Sequence, residues 1–380
     1  MVLDQREIAA LIDWRRTVHQ WPEISGEEAQ TAATVVAALH LLAPDEILTK
    51  LGGHGVAAVF AGREAGPTVL FRCELDALPI AEIGDRPHRS RIVGKAHLCG
   101  HDGHMAIILG LAQMLAQCRP RRGRVVVLFQ PAEETGAGAR AVIADPQFVR
   151  IRPDFAFALH NMPGIAMGAA AVNAGPMACA SRGLRIVFAG KTAHAAMPET
   201  GVSPAPAIAR LIPALTALGT GGPLESGFRL VTVTHARFGE PAFGIAPGEG
   251  ELWVTLRTVL DRDMAALHRE AMALIDAEAG GLGMTVTVHD QFAGCDNDPE
   301  AGGLVTAALD RAGITLVQGR TPMRASEDFG LFGSVSKAAL LLLGAGESHA
   351  ALHNPDYDFP DEMIAVGIGL FDDIGRQLLG

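Results

Sequence analysis

The ten residues Ala96–Met105, AHLCGHDGHM, carry one cysteine, three histidines and one aspartate, spaced by glycines. Cys99 and His101 flank a single glycine. Thiolate and imidazole are preferred ligands of zinc and similar borderline ions, and glycine lets the backbone bring both inward. Three chemistries suit these residue types: a metal site, a cysteine nucleophile beside a base, or polar loop residues with no joint role. The pair alone decides little, because an isolated Cys or His is more often packed or solvated. Asp102, just ahead of an apolar stretch, also suits a helix N-cap, with His104 in the first turn.

More acids and histidines lie elsewhere. Glu133 and Glu134 follow the apolar run VVVLFQ and a proline. Adjacent carboxylates on a surface loop usually have no joint role, but at a sheet's carboxyl edge beside a Cys/His cluster they suggest one metal ligand and one general base, since like charges this close need a cation to stay ionised together. His160 closes the run FAFALH, where a core histidine is the plain alternative, and His353 sits in LHNP, where a turn histidine is. As a set the residues say more than each alone. One Cys, one Glu and three His make five ligands, a natural count for two divalent ions that leave room for substrate.

Something must bring these residues together. Helical periodicity recurs at about 4–20, 27–42, 104–118 and 361–379, and apolar runs suited to buried strands lie at 56–60, 68–72, 125–130, 155–160 and 338–344. That alternation predicts an α/β domain with a mixed sheet covered by helices on both faces. Ligands of such sheets collect at the carboxyl ends of the strands, and the loaded segments ELDALP, PAEETGAG, His160 and HAALHNP all follow such runs. The middle of the chain reads β-α-β-β-α-β: strands at 182–190, 229–238, 251–259 and 284–292, helices at 203–218 and 261–280 (the second with an Asp cap and a Gly stop). This order predicts an inserted α+β ferredoxin-like domain at 178–292, with 1–177 and 293–380 forming the other domain.

Composition narrows the classes. A chain of 380 residues is long for one core, and 49% hydrophobic with 19% charged residues is a globular profile. A net charge of −11 disfavours nucleic acid and anionic membranes as partners. No apolar run is long enough to span a bilayer, and the amino terminus reads as an amphipathic helix rather than a signal peptide. Five scattered cysteines, an odd number, argue against a disulfide framework and for reduced thiols in the cytoplasm.

Eight segments, RCELDALPI, CGHDGH, FQPAEETGAGA, LHNMP, GPMACA, GKTAHAAMP, RASEDF and LHNPDYDF, resemble in order the motifs of the hippurate hydrolase, N-acyl-amino-acid amidohydrolase and auxin-conjugate hydrolase family. That family belongs to the metallopeptidase clan of aminoacylase and glutamate carboxypeptidase. The resemblance runs from HQWPEIS nearly to the end of the chain. It implies that Cys99, His101, Glu134, His160 and His353 hold two divalent ions, with Cys99 as bridge and manganese or zinc favoured. Glu133 is then the general acid/base acting on a metal-activated water, and Asp76 orients a ligand imidazole. His194 resembles the histidine of the inserted lid that reaches the scissile carbonyl, in relatives often across a homodimer.

The expected reaction is hydrolysis of an amide in an N-acyl amino acid or related small molecule. A cysteine nucleophile would leave Glu133, Glu134, His160 and His353 without a role, so the metal reading stands. The alternatives are cleavage of a different C–N bond, such as that of an aryl amine, and a non-catalytic metal-dependent binding protein, which has no need of Glu133. Two departures are visible. Glu74 replaces the usual first aspartate, and Gly244, in AFGIAPGEGEL, falls where the family commonly has asparagine. Gly244 and Arg257 are candidate substrate contacts.

Overall fold

The computed structural model describes residues 3–380; the first two residues of the amino-terminal reading lie outside them. Among the described residues the chain divides into two compact units. One runs to Met177 and resumes over Cys295–Thr321 and Asp328–Gly380; the other comprises Ala178–Gly294 and Pro322–Glu327.

In the first unit, β1 (Glu46–Leu51), β2 (Gly55–Ala61), β3 (Glu64–Glu74), β4 (Arg122–Gln130), β5 (Phe155–Met162), β6 (Ala169–Ala171), β15 (Thr315–Leu316) and β16 (Lys337–Gly344) form one sheet. Its order is β1-β2-β4-β3-β5-β16-β6-β15. β4, β3, β5 and β16 run parallel, while β2 and β6 join antiparallel, so the sheet is mixed. The apolar runs explain its place: β2, β4, β5 and β16 are buried along nearly their whole length, as strands covered on both faces must be. Helices α1 (Gln5–His19), α2 (Ala29–His40), α3 (His101–Gln117), α7 (Pro299–Arg311) and α8 (Met363–Leu379) share one apolar core on one face. α4 (Gly138–Ala144) and the short turns Pro146–Arg150 and Asp328–Ser334 pack on the other. A short pair, β7 (Pro176–Ala178) with β14 (Cys295–Asp296), completes the unit's strands.

Boundaries differ from the sequence reading where side chains near the site decide them. β3 continues to Glu74 rather than ending at 72, and β5 runs two residues past His160. α3 begins at His101, not 104, so Asp102 is no N-cap. The cap is Gly100, in the left-handed region at φ 95°, and it makes no side-chain cap bond. Asp102 is instead fully buried, accepting from Arg15 Nη1 at 2.9 Å and lying 2.8 Å from His19 Nδ1. Burial would raise its carboxyl, but Arg15 and His19 outweigh burial and hold it well below the usual carboxylate range. Asp102→Ala should therefore cost about 3 kcal/mol by leaving buried charge underpaired, measured by urea unfolding of metal-free protein. Because the native pKa is depressed, this contribution is present above roughly pH 4 and disappears as pH falls further.

In the second unit, β8 (Ala180–Ala189), β10 (Arg229–Phe238), β12 (Glu249–Thr258) and β13 (Gly283–Phe292) form an antiparallel sheet in the order β10-β12-β8-β13. Helices α5 (Ala205–Thr216) and α6 (Asp261–Ala279) share its apolar core. This is the ferredoxin-like order. α6 is capped by Leu260, with Asp261 inside the first turn rather than at the cap. A small ribbon of β9 (Ala193–His194) and β11 (Ile245–Ala246) had no signal in the periodicity.

Candidate metal centre

Cys99, His101, Glu133, Glu134, His160 and His353 come from four loops and strand ends of the first unit, and they meet. The Cys99 Sγ lies 3.5 Å from His160 Nε2. His101 Nε2 lies 3.9 Å from both Glu133 Oε2 and Glu134 Oε1, and His353 Nε2 lies 3.6 Å from Glu134 Oε2. Ligand atoms of Cys99, His101 and His160 fall within 4.8 Å of one another, as do those of Cys99, Glu134 and His353, and those of His101, Glu133 and Glu134. Cys99 belongs to one group with His101 and His160 and to another with Glu134 and His353.

Local backbone explains the convergence. Gly100 turns the chain between the two ligand-type residues, and a Cβ there would lie 2.4 Å from Asn161 Oδ1. His353 is held at φ 66°, and its amide donates to the Leu98 carbonyl at 2.8 Å, tying the LHNP turn to the cysteine loop. Its imidazole is half-exposed, whereas His101 and Glu133 are buried.

The imidazoles are oriented by their second nitrogens. His101 Nδ1 lies 2.8 Å from the Asp76 carbonyl oxygen and 3.6 Å from its carboxylate. That carboxylate accepts from Ser25 Oγ at 2.7 Å and from the Glu134 amide at 3.0 Å, so Asp76 steadies both a histidine and the glutamate loop. His160 Nδ1 donates to the Asn161 carbonyl at 2.8 Å, which turns Nε2 toward Cys99.

The donor set fits divalent ions. His101 Nε2 is buried with no hydrogen-bond partner while facing two carboxylates. Burial pushes the Cys99 thiol well up, and Glu134 adds to this; burial pulls His160 down to about 3. A neutral imidazole and a thiol crowded by carboxylates ask for a cation among them. Cys99 is a free thiol, so it is not withdrawn into a disulfide.

Three expected residues lie in the second unit. His194 is exposed on the β9–β11 ribbon, where the Ala196 amide donates to its Nδ1 at 3.0 Å. Gly244 adjoins it: the Ala195 amide donates to the Gly244 carbonyl at 3.0 Å, and a Cβ on Gly244 would meet nothing within 4 Å. Arg257 on β12 donates from Nη1 to the Arg324 carbonyl and to Ser326 Oγ, each at 2.9 Å, which ties it to the RASEDF segment.

By sequence His104 is a first-turn residue, and no spacing singles out Asn161 or Tyr357. In the fold His104 lies against the His160 ring, with centroids 4.9 Å apart, and Asn161 Nδ2 donates to Tyr357 Oη at 2.5 Å. The available signal was helical spacing, since His101 and His104 stand three apart and share a helix face.

The chain can now be set beside known proteins. The model of Peptidase family M20/M25/M40 matches residues 70–377. The N-acetyl-L-cysteine deacetylase of Bacillus subtilis is 32% identical over 97% of this chain and 88% of its own length. The hippurate hydrolase of Campylobacter jejuni is 29% identical over 96% of this chain and 95% of its own. A Bacillus subtilis crystal structure described as a dinuclear metal-binding peptidase of the M20 family superposes with a TM-score of 0.82 at 27% identity, covering 99% of both chains. With the matched model spanning most of its length, the chain belongs to peptidase family M20/M25/M40.

Proposed function

We propose that this chain is a metal-dependent amidohydrolase that cleaves N-acyl amino acids or related small amides. The observation that carries the reading is the pair of ligand-type groups that share Cys99, a buried one reaching His160 and a more open one reaching Glu134 and His353, with Glu133 beside them. Cys99, His101, Glu134, His160 and His353 would hold two ions, manganese or zinc by the softness of the donors. Such ions, when bound, polarise a carbonyl and make water acidic enough to attack at neutral pH. Glu133 takes the proton from the attacking water and delivers it to the departing amine nitrogen. His194 donates to the oxyanion that develops on the carbonyl. Glu133 also argues against a pure binding protein, which has no proton to move. The relatives named for N-acetylcysteine and hippurate favour an amide over another C–N bond. Screening metal-loaded protein for amine release from acetyl, benzoyl and indolylacetyl amino acids tests the reading; activity confined to other C–N bonds would replace it.

The enzyme is proposed to work as a cytoplasmic homodimer paired through the second unit; among the described residues no helix is long and apolar enough to cross a membrane. If His194 serves the partner's site, mixing inactive His194→Ala chains with inactive Glu133→Gln chains should restore about a quarter of wild-type activity per chain at full exchange. This fraction assumes random pairing, with half of the dimers mixed and one intact site in each. No recovery despite proven exchange would mean that His194 acts within its own chain or not at all.

Gly244 is proposed to set specificity. Asparagine offers one acceptor and two donors where glycine offers none, and the space beside Gly244 is open. Gly244→Asn should lower kcat/KM on the best natural substrate about tenfold while hippurate holds or gains. Equal changes on both substrates would remove Gly244 from the specificity account.

A further inference from the structure

We propose that His104 is a positioning residue, which sets the orientation of His160 through the peptide of Asn161. The inference rests on the proposed metal-dependent function. Both ring nitrogens of His104 are engaged: Nδ1 lies 2.6 Å from Glu74 Oε2, and the Asn161 amide donates to Nε2 at 3.3 Å. A carboxylate can only accept and an amide N–H can only donate, so the ring is neutral with its proton on Nδ1. Glu74, His101 and His104 have ligand atoms near enough to hold an ion, but a ring with both nitrogens occupied has no lone pair to give.

The consequence runs along β5. Pairing of β5 with β3 ends at Ala158, opposite Arg72, so at Asn161 a side chain takes an amide that no β3 residue reaches. The Asn161 carbonyl in turn accepts from His160 Nδ1 at 2.8 Å, which aims His160 Nε2 at Cys99. The far end of the relay is equally fixed. Glu74 pairs with Arg72, whose guanidinium also donates to Gln130 Oε1 at 3.0 Å and to Asp328 Oδ1 at 2.6 Å. Arg72, Glu74, His104, Gln130, Asn161 and Asp328 are all at most 1% exposed. A buried chain of this kind transmits geometry because no member has an alternative partner in water. Outer partners of a metal-binding imidazole typically govern metal affinity by about 10–100-fold.

The test uses the full-length protein with Zn²⁺ as probe. In long-range ¹H–¹⁵N spectra of wild type labelled at histidine, His104 should carry its proton on Nδ1 and stay uncoordinated before and after zinc loading. His104→Leu should weaken one of two zinc ions about 10–100-fold by competition against a chromophoric chelator. His104→Gln, whose amide can donate to Glu74 and accept from Asn161, should restore binding to within about threefold of wild type. An Nε2-protonated or zinc-bound His104, a Leu variant that binds like wild type, or a Gln variant as weak as Leu would each overturn the proposal. Should the Leu variant not fold, the wild-type tautomer and the Gln variant decide. A wild-type chain that binds no zinc overturns the metal reading instead, and the tautomer still reports on the relay.

Discussion

Glu133→Gln is expected to retain both metal ions and to lose roughly 10²–10⁴-fold in kcat, the usual worth of a positioned acid/base. The residue is 5% exposed and its Oε2 stands 3.9 Å from His101 Nε2, among the candidate ligands. Glutamine keeps the shape and the hydrogen-bonding reach but cannot take a proton. Metal content by elemental analysis and kcat on the best amide substrate separate the two roles. Near-normal turnover would show that Glu133 is not the base; loss of metal together with turnover would make it a ligand.

Glu134→Ala should fail differently, losing metal before chemistry. Its carboxylate lies 3.6 Å from His353, in the group it forms with Cys99, so removal would take a ligand from the ion held there. About one ion per chain is expected to remain, with activity reduced at least 10²-fold and only partly recovered at high metal concentration. Cys99→Ser keeps a donor atom but a harder one, and should weaken zinc more than manganese. Retention of two tight ions in Glu134→Ala would exclude Glu134 from the ligand set.

Most of the architecture was legible because burial on two faces leaves continuous apolar runs, as at 125–130 and 338–344, and these sit inside β4 and β16. The β-α-β-β-α-β succession of the second unit was legible in the same way, from period-two strands and helical periodicity. The convergence of Cys99 with His353, 254 residues apart, was legible from residue types, strand exits and motif resemblance together, because no local pattern predicts a tertiary meeting. The start of α3 was misread because a left-handed Gly100 supplies the cap, while the residue that looked like a cap, Asp102, is spent on Arg15 and His19. The β9–β11 ribbon was invisible: two-residue strands carry no periodicity, yet they place His194 next to Gly244. His104 was passed over for a related reason. Its role depends on Glu74 and Asn161, which reach it only through strand packing.

Hydrolysis of an N-acyl amino acid by this chain should require bound divalent ions. The most direct measurement is release of free amino acid by one protein sample as purified, after dialysis against chelator, and after reloading with manganese or zinc. Activity should fall at least 10²-fold on stripping and return with close to two ions bound per chain. Full activity in verified metal-free protein, or no hydrolysis of any N-acyl amino acid by the reloaded sample, would contradict this expectation.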